Sequence, residues 1–161
     1  MKKNMDEKVL DKMLNIAERF FGTADDPNQM PMTRESFYKL QELHPKTVVY
    51  RLKNGEPISW VVVLPTQIEL MGKFLRGEIN ECELLDLTKP QDRYEALYLC
   101  AAFTVPEHRR RGLVIEMFKE TVDAIPHIEN VKLFAWLFSD EGRKIAEKLN
   151  QILGVKILVK D

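Results

Sequence analysis

The chain has 161 residues, 45% of them hydrophobic and 30% charged, and a formal net charge of −1. This length and composition predict one soluble globular domain with a real core, and the near-zero charge argues against nucleic acid or a membrane surface as a partner. Apolar runs such as Trp60 to Leu64 are too short to span a bilayer, and the charged N-terminus lacks the apolar segment of a secretory signal, so we expect a cytoplasmic protein.

The cysteines and histidines do not form a recognisable site. Cys82 and Cys100 show neither a disulfide framework nor a metal-ligand spacing. The three histidines, His44, His108 and His127, are scattered and indicate neither a zinc site nor a catalytic triad. We therefore expect a reduced protein without a metal.

The first third of the chain predicts two helices. Apolar side chains recur at helical spacing over residues 6–21, and Gly22 is the predicted end of that helix. Thr33 is a predicted N-cap for a second helix, which runs through Leu43 and ends at His44-Pro45.

The helical period then gives way to a β-hairpin. Residues 47–52 and 58–64 are rich in β-branched and other apolar side chains, which is typical of strands. Asn54-Gly55 between them is a strong hairpin signal, because both residues tolerate positive φ.

A helical segment at about residues 66–90 follows the hairpin. Thr66 with Glu69 predicts the capping box of one short helix, and Asn80 with Glu83 predicts that of a second.

The second half of the chain alternates strand and helix. Its predicted elements are a strand over 96–105, a helix over 113–124, a buried central strand over 131–138, a helix over 140–151 and a strand over 155–160. No repeat or low-complexity linker interrupts the sequence, so we expect a single domain over residues 1–161.

The turn between strand 96–105 and helix 113–124 is the most informative part of the sequence. Pro106 opens it, three consecutive arginines follow at 109–111, and Gly112 precedes the helix. Unpaired N–H groups and the positive end of the helix dipole favour an anion here, and the arginines add to that field. The turn therefore predicts a phosphate or pyrophosphate ligand. A solvated basic cluster is one alternative, and a nucleic-acid contact is another that the lack of a second basic stripe disfavours.

Arg109-x-x-Gly112-x-Val114, set between a strand and a helix, resembles the pyrophosphate loop of the GNAT N-acetyltransferase superfamily, which binds acetyl-coenzyme A (acetyl-CoA). The family's loop reads Gln/Arg-x-x-Gly-x-Gly/Ala, so Val114 is a departure at the sixth position. The order of predicted elements also matches the family over roughly residues 6–160. The resemblance implies an α/β fold with a mixed, mostly antiparallel central sheet, flanked by helices and splayed at the strand before the loop.

The resemblance also shows where this chain departs from its relatives. No strand is evident before the first helix. The residues at about 66–90 are a helical insertion, which we expect to cover the substrate end of the family's cleft. The sequence ends after strand 155–160, where many relatives add one more strand. An unpaired edge must be covered, shortened or paired, so a homodimer through a sheet edge is one expected assembly.

The implied activity is transfer of the acetyl group of acetyl-CoA to the amine of a small-molecule or peptide acceptor. The main chain of Phe103, Thr104 and Val105 would pair with the pantetheine arm, and a backbone N–H near Thr104 would polarise the thioester carbonyl. The cofactor's pyrophosphate would contact the turn residues Arg109, Arg110, Arg111, Gly112, Leu113 and Val114.

The resemblance gives two candidate catalytic residues, Tyr98 and Asn150. In the family a tyrosine of the last helix protonates the leaving thiolate, and its position here holds Asn150, an amide that can hydrogen-bond to sulfur but cannot serve as an acid. Some relatives place a glutamate base early in the signature strand, where this chain has Tyr98. A tyrosine with its usual pKa of roughly 10 is a poor base, so we expect Tyr98 to form a wall of the substrate pocket.

Other residues and other functions stay open at this point. Glu69 and Glu83 of the insertion are candidates to reach the acceptor site, and we interpret Cys100 as a small core residue. Because Asn150 replaces the tyrosine, the alternative to an acetyltransferase is a catalytically weak or inactive CoA-binding module with a regulatory or assembly role. A basic-loop nucleic-acid binder is the third.

Overall fold

The computed structural model of the chain describes residues 6–21, 30, 33–137 and 140–160, with the backbone alone at residues 20 and 21. Its helices are α1 (Glu7–Phe21), α2 (Arg34–Leu43), α3 (Ile68–Leu75), α4 (Glu81–Leu87), α5 (Leu113–Ala124) and α6 (Asp140–Leu153). Its strands are β1 (Val48–Lys53), β2 (Glu56–Thr66), β3 (Tyr94–Thr104), β4 (His127–Trp136) and β5 (Ile157–Lys160). The predicted order of elements is confirmed, while Gly22 and Phe138 lie outside the described residues. None of these helices combines the length and apolar character needed to span a bilayer.

The strands form one sheet in the order β1-β2-β3-β4-β5. β1, β2 and β3 pair antiparallel, and the predicted hairpin between β1 and β2 turns at Asn54 (φ 53°) and Gly55 (φ 78°). Helices α5 and α6 are crossover connections, so β3, β4 and β5 run parallel. The mixed sheet is confirmed. Its antiparallel part is smaller than expected, because these two crossovers make half of the strand pairings in the described chain parallel.

The core is centred on β2 and the strands beside it. Residues 60–64 are completely buried, and α1 packs Leu10 and Met13 into the same core. The prediction of a continuously buried strand at β4 is wrong, because burial there is confined to residues 133–135 and Lys132 is exposed. The first half of β4 carries polar side chains, including the exposed Glu129, and only its second half lies against the core.

The insertion forms the two predicted helices, α3 and α4, but their N-termini differ. Asn80 and Glu83 make the predicted capping box of α4. The predicted cap at Thr66 is wrong, because its hydroxyl is buried against that of Thr88 at 2.7 Å. The N–H of Ile68 instead donates to the Glu95 carboxylate of β3 at 3.1 Å, so a neighbouring strand supplies the cap.

Candidate active site

The site begins where β3 and β4 separate. The two strands pair as far as Tyr98 opposite Phe134, and in the described chain no later residue of β3 has a partner on β4. β3 continues along β2 alone to Thr104, and the register shifts so that Cys100 is an extra, bulged residue. The predicted splay is therefore present, and the edge of β3 beyond Tyr98 faces an opening in the sheet.

This opening is a cleft of about 1010 Å³. Its walls are residues 99–104 of β3, the arginine turn, the first turns of α5, one side of α6, and Trp136 at the end of β4. Glu81 of α4 also lines the cleft, although no motif in the sequence predicted it as a site residue. The cleft thus runs from the basic turn to a carboxylate of the insertion.

The peptide groups of successive residues at the end of β3 point alternately toward β2 and toward the cleft. Val105 donates its N–H to the Ile58 carbonyl of β2 at 2.8 Å, so Phe103 also faces β2, while Thr104 and Ala102 face the cleft. Of the three predicted pantetheine contacts, only Thr104 therefore has its peptide groups on the open side. The predicted contacts do not fit the other two residues, because β2 takes the Val105 N–H and faces the peptide groups of Phe103, and the Val105 carbonyl accepts the His108 N–H at 2.9 Å. Ala102, which the prediction did not include, faces the cleft.

The arginine turn has the geometry of an anion site. Arg110 (φ 65°) and Gly112 (φ 74°) both have left-handed backbone conformations, which is uncommon for a residue other than glycine. The first backbone hydrogen bond of α5 runs from the N–H of Glu116 to the Gly112 carbonyl at 3.1 Å. No side chain within the described ranges caps this end of α5, so the N–H groups of residues 113–115 are left for an anion.

The side chains around the turn add positive charge in two ways. Arg109 is tied to the end of β3, because its Nε donates to the Thr104 carbonyl at 3.1 Å, while Arg110 and Arg111 are exposed. Lys144 and Lys148 of α6 line the cleft one helical turn apart, although the sequence analysis did not single them out. Leu113 and Val114 line the cleft too, and Val114 keeps its N–H at the helix end.

Tyr98 does not line the cleft. Its side chain is 1% exposed, and its ring lies 4.8 Å from that of Phe74 and 5.0 Å from that of Phe134. Its hydroxyl donates to Oε2 of Glu81. The expectation of a pocket wall is therefore wrong: the insertion covers Tyr98 completely, and its contact with the site passes through Glu81.

Glu81 is the buried carboxylate of the site, with 7% of the residue exposed. Besides the Tyr98 hydroxyl it accepts the N–H of Met30 at 3.0 Å and the thiol of Cys100 at 3.7 Å. Burial raises the pKa of Glu81, and these hydrogen bonds and the charge of Lys160 partly oppose that shift. A carboxylate perturbed in this way at a cleft is a candidate acid or base.

The other carboxylates proposed from the sequence have different roles. Glu83 is exposed and forms the capping box of α4, and Glu69 is exposed on α3. Glu81 could have been found from the helical period, since it lies three and four residues before the buried Leu84 and Leu85. Cys100, which we expected in the core, instead lies at the bulge beside Glu81 and lines the cleft.

Asn150 is not part of the cleft wall. Its Oδ1 accepts the N–H of Ile157 at 2.8 Å and so ties α6 to the start of β5. The structure therefore gives Asn150 a structural bond and not the position of a proton donor, and the buried carboxylate that lines the cleft is Glu81.

The pH dependence of stability tests the state of Glu81. Because its pKa is raised, the Glu81 carboxyl group holds its proton more tightly in the folded protein than in the unfolded chain. Each pKa unit of that difference contributes about 1.4 kcal/mol to the free energy of unfolding. That stability is present below about pH 4.5 and is lost as the pH rises through the raised value. We predict that Glu81→Gln becomes more stable relative to the wild type as the pH rises from 4.5 to 8, in urea unfolding. A pH-independent difference would contradict this.

Comparison with known proteins supports the fold. No protein-family model matches the sequence, and no curated protein matches it. Among solved structures the chain is similar to the GphF GNAT-like decarboxylase in complex with isobutyryl-CoA, with 14% identity, a TM-score of 0.59, and coverage of 93% of this chain and 74% of that one. The mixed sheet, its splay and this similarity together show that the chain has a GNAT-like fold.

Proposed function

We propose that this protein binds a CoA thioester in the cleft and transfers its acyl group, acetyl in the simplest case, to an amine. The observation that carries the proposal is the continuity of the cleft, which joins an anion-binding helix end to a buried carboxylate along one free strand edge. The CoA ester bound by the structurally similar decarboxylase supports the same class of ligand.

Each part of the cleft matches a part of CoA. The N–H groups at the start of α5, with the arginines, suit the pyrophosphate. The peptide groups of Ala102 and the N–H of Thr104, whose carbonyl accepts from Arg109, suit the amides of the pantetheine arm, which would extend β3 as a strand partner does. Trp60 Nε1 and His108 Nδ1, both in residues of the wall, are buried polar atoms without a hydrogen-bond partner in the described chain.

Glu81 would serve as the base of the transfer. The amine nitrogen attacks the thioester carbon and loses a proton to the Glu81 carboxylate, while the carbon–sulfur bond breaks and the thiolate of CoA leaves. Return of that proton to the thiolate gives the amide and free CoA thiol. The Tyr98 hydroxyl and the Met30 N–H hold the carboxylate in place.

Of three alternatives, the first two are outcomes of the experiments below. Decarboxylation of a carboxyacyl-CoA is favoured by the activity of the similar structure, and protonated Glu81 would then supply the proton to the enolate formed when carbon dioxide leaves. A CoA-binding module without turnover is the other. A nucleic-acid binder is the least favoured, because the cations of the turn share one cleft with Glu81 and Glu141.

The first prediction of the proposed function concerns binding. Gly112→Val places a side chain at φ 74°, distorts the turn and should weaken CoA binding at least tenfold in calorimetry. Gly55→Val is the matched control, since Gly55 has φ 78°, and in neither glycine would an added Cβ meet an atom within 4 Å. Both variants should lose similar stability. Equal CoA affinity in the two variants would show that the turn does not bind the ligand.

The second prediction concerns turnover. Glu81→Gln should lower the rate of CoA thiol release from acetyl-CoA with an amine panel by roughly 10²–10⁴-fold, with little change in CoA affinity. Glu83→Gln is the control, because this exposed residue caps the same helix. Equal rates would exclude Glu81 as the base. Carbon dioxide release from malonyl-CoA in a parallel assay would identify a decarboxylase, and CoA binding without either reaction would identify the module.

A further inference from the structure

Two lysines of α6 belong to the wall of the cleft. Lys144 and Lys148 lie four residues apart, so they share one face of the helix, and both line the cleft. Ala146 and Leu149 of the same helix are buried, and they hold α6 against the rest of the molecule. The two lysines are exposed, so their ammonium groups are accessible from the cleft and from solvent.

The protein does not neutralise these two charges. Within the described part of the chain, residues 6–21, 30, 33–137 and 140–160, neither ammonium has an ion-pair partner or a hydrogen bond. Asp140, four positions before Lys144, pairs with Arg143 at 3.9 Å, and the residue four positions before Lys148 is Lys144 itself. Two like charges therefore share one helix face, an arrangement that destabilises a helix unless an anion binds there.

The charges along the cleft make these lysines additional to the anion site at the turn. The uncapped start of α5 and the arginines beside it already suit the two charges of a pyrophosphate. CoA also carries a phosphate monoester on its ribose 3′ oxygen, and such a group has a charge of about −1.5 to −2 at neutral pH. Of the α6 residues that line the cleft, Glu141 is acidic and the two lysines are basic, so this face has a net positive charge.

The course of the ligand brings its ribose to the helices and not to the sheet. The pyrophosphate of CoA joins the pantetheine arm at one end and the ribose at the other. If the arm follows β3 from the turn toward Glu81, the ribose leaves the start of α5 in another direction, outside the strand edge. Helix α6 packs against α5 and lines the same cleft, so its lysine face borders the space that the ribose enters.

Solubility alone does not account for the position of the two lysines. Lys119 of α5 and Lys156 before β5 are also exposed, but they lie outside the cleft wall and would serve solubility equally well. A cleft that binds a polyanion gains from cations on its wall, because they act at short range and are screened less than distant surface charges.

We propose that Lys144 and Lys148 bind the ribose 3′-phosphate of CoA, so that the cleft selects CoA over the same molecule without this phosphate. The inference rests on the proposed function, since it concerns the same ligand, and it adds a second anion site to that at the turn. Each ammonium can donate charge-assisted hydrogen bonds of about 2.7–2.9 Å to the phosphate oxygens.

Calorimetry with CoA and 3′-dephospho-CoA tests the proposal without turnover. We expect the wild type to bind CoA at least about tenfold more tightly than 3′-dephospho-CoA. The double variant Lys144→Met, Lys148→Met should bind CoA about tenfold more weakly and 3′-dephospho-CoA nearly unchanged. The control Lys119→Met, Lys156→Met changes the net charge equally outside the cleft wall and should keep the wild-type preference.

Two further measurements locate the phosphate in proteins that keep both lysines. Gly112→Val should weaken both ligands by the same factor, because the pyrophosphate is common to them. In the wild type, CoA should slow the acetylation of Lys144 and Lys148 by an N-hydroxysuccinimide ester, as read by mass spectrometry, and 3′-dephospho-CoA should not. Labelling of Lys119 and Lys156 should be the same with either ligand.

The outcomes separate the two levels of the proposal. If the wild type binds neither ligand, the proposed function fails and this inference fails with it. Equal affinities for CoA and 3′-dephospho-CoA would overturn this inference alone. It is also overturned if the preference survives the loss of both lysines, if the control variant loses it too, or if CoA leaves the labelling of Lys144 and Lys148 unchanged.

Discussion

The parting of β3 from β4 after Tyr98 is the constraint on which the rest of the structure depends. It leaves the peptide groups of Ala102 and the N–H of Thr104, whose carbonyl accepts from Arg109, facing the cleft without a partner on β4, and a buried backbone donor or acceptor without a partner costs free energy. A continuous sheet would have satisfied them with β4. The bulge at Cys100 and the crossover α5, which starts from the arginine turn, instead keep this edge open to a ligand that can pair as a strand does.

The two ends of the opening carry opposite charge for physical reasons that differ. At the turn, the positive field comes from exposed arginines and from the uncapped start of α5, which favour a highly charged, hydrated group such as pyrophosphate. At the other end, the Glu81 carboxylate is buried and held by three donors. Tyr98 and the segment that holds α3 and α4 make that burial, and α4 itself carries the carboxylate.

Local signals predicted the parts of the fold that depend on local chemistry. Asn54-Gly55 predicted the hairpin, Asn80 with Glu83 predicted the start of α4, and Gly112 after the arginines predicted the turn at the uncapped start of α5. The errors arose where a distant element decided the outcome. Glu95 of β3 caps α3 in place of Thr66, and α4 buries Glu81 against Tyr98. The side-chain oxygen of Asn150 accepts the backbone N–H of Ile157 in β5. These contacts join residues far apart in sequence, which periodicity and motif spacing do not record.

Hydrogen exchange along β3 tests the central claim most directly, because it reports on single peptide groups. The amides of Phe103 and Val105 already face β2, whereas those of Ala102 and Thr104 face the cleft. On addition of saturating CoA, we expect exchange at Ala102 and Thr104 to slow markedly and that at Phe103 and Val105 to change little. Unchanged exchange at Ala102 and Thr104, with CoA bound, would show that the ligand does not use the open edge of the sheet and would contradict the account.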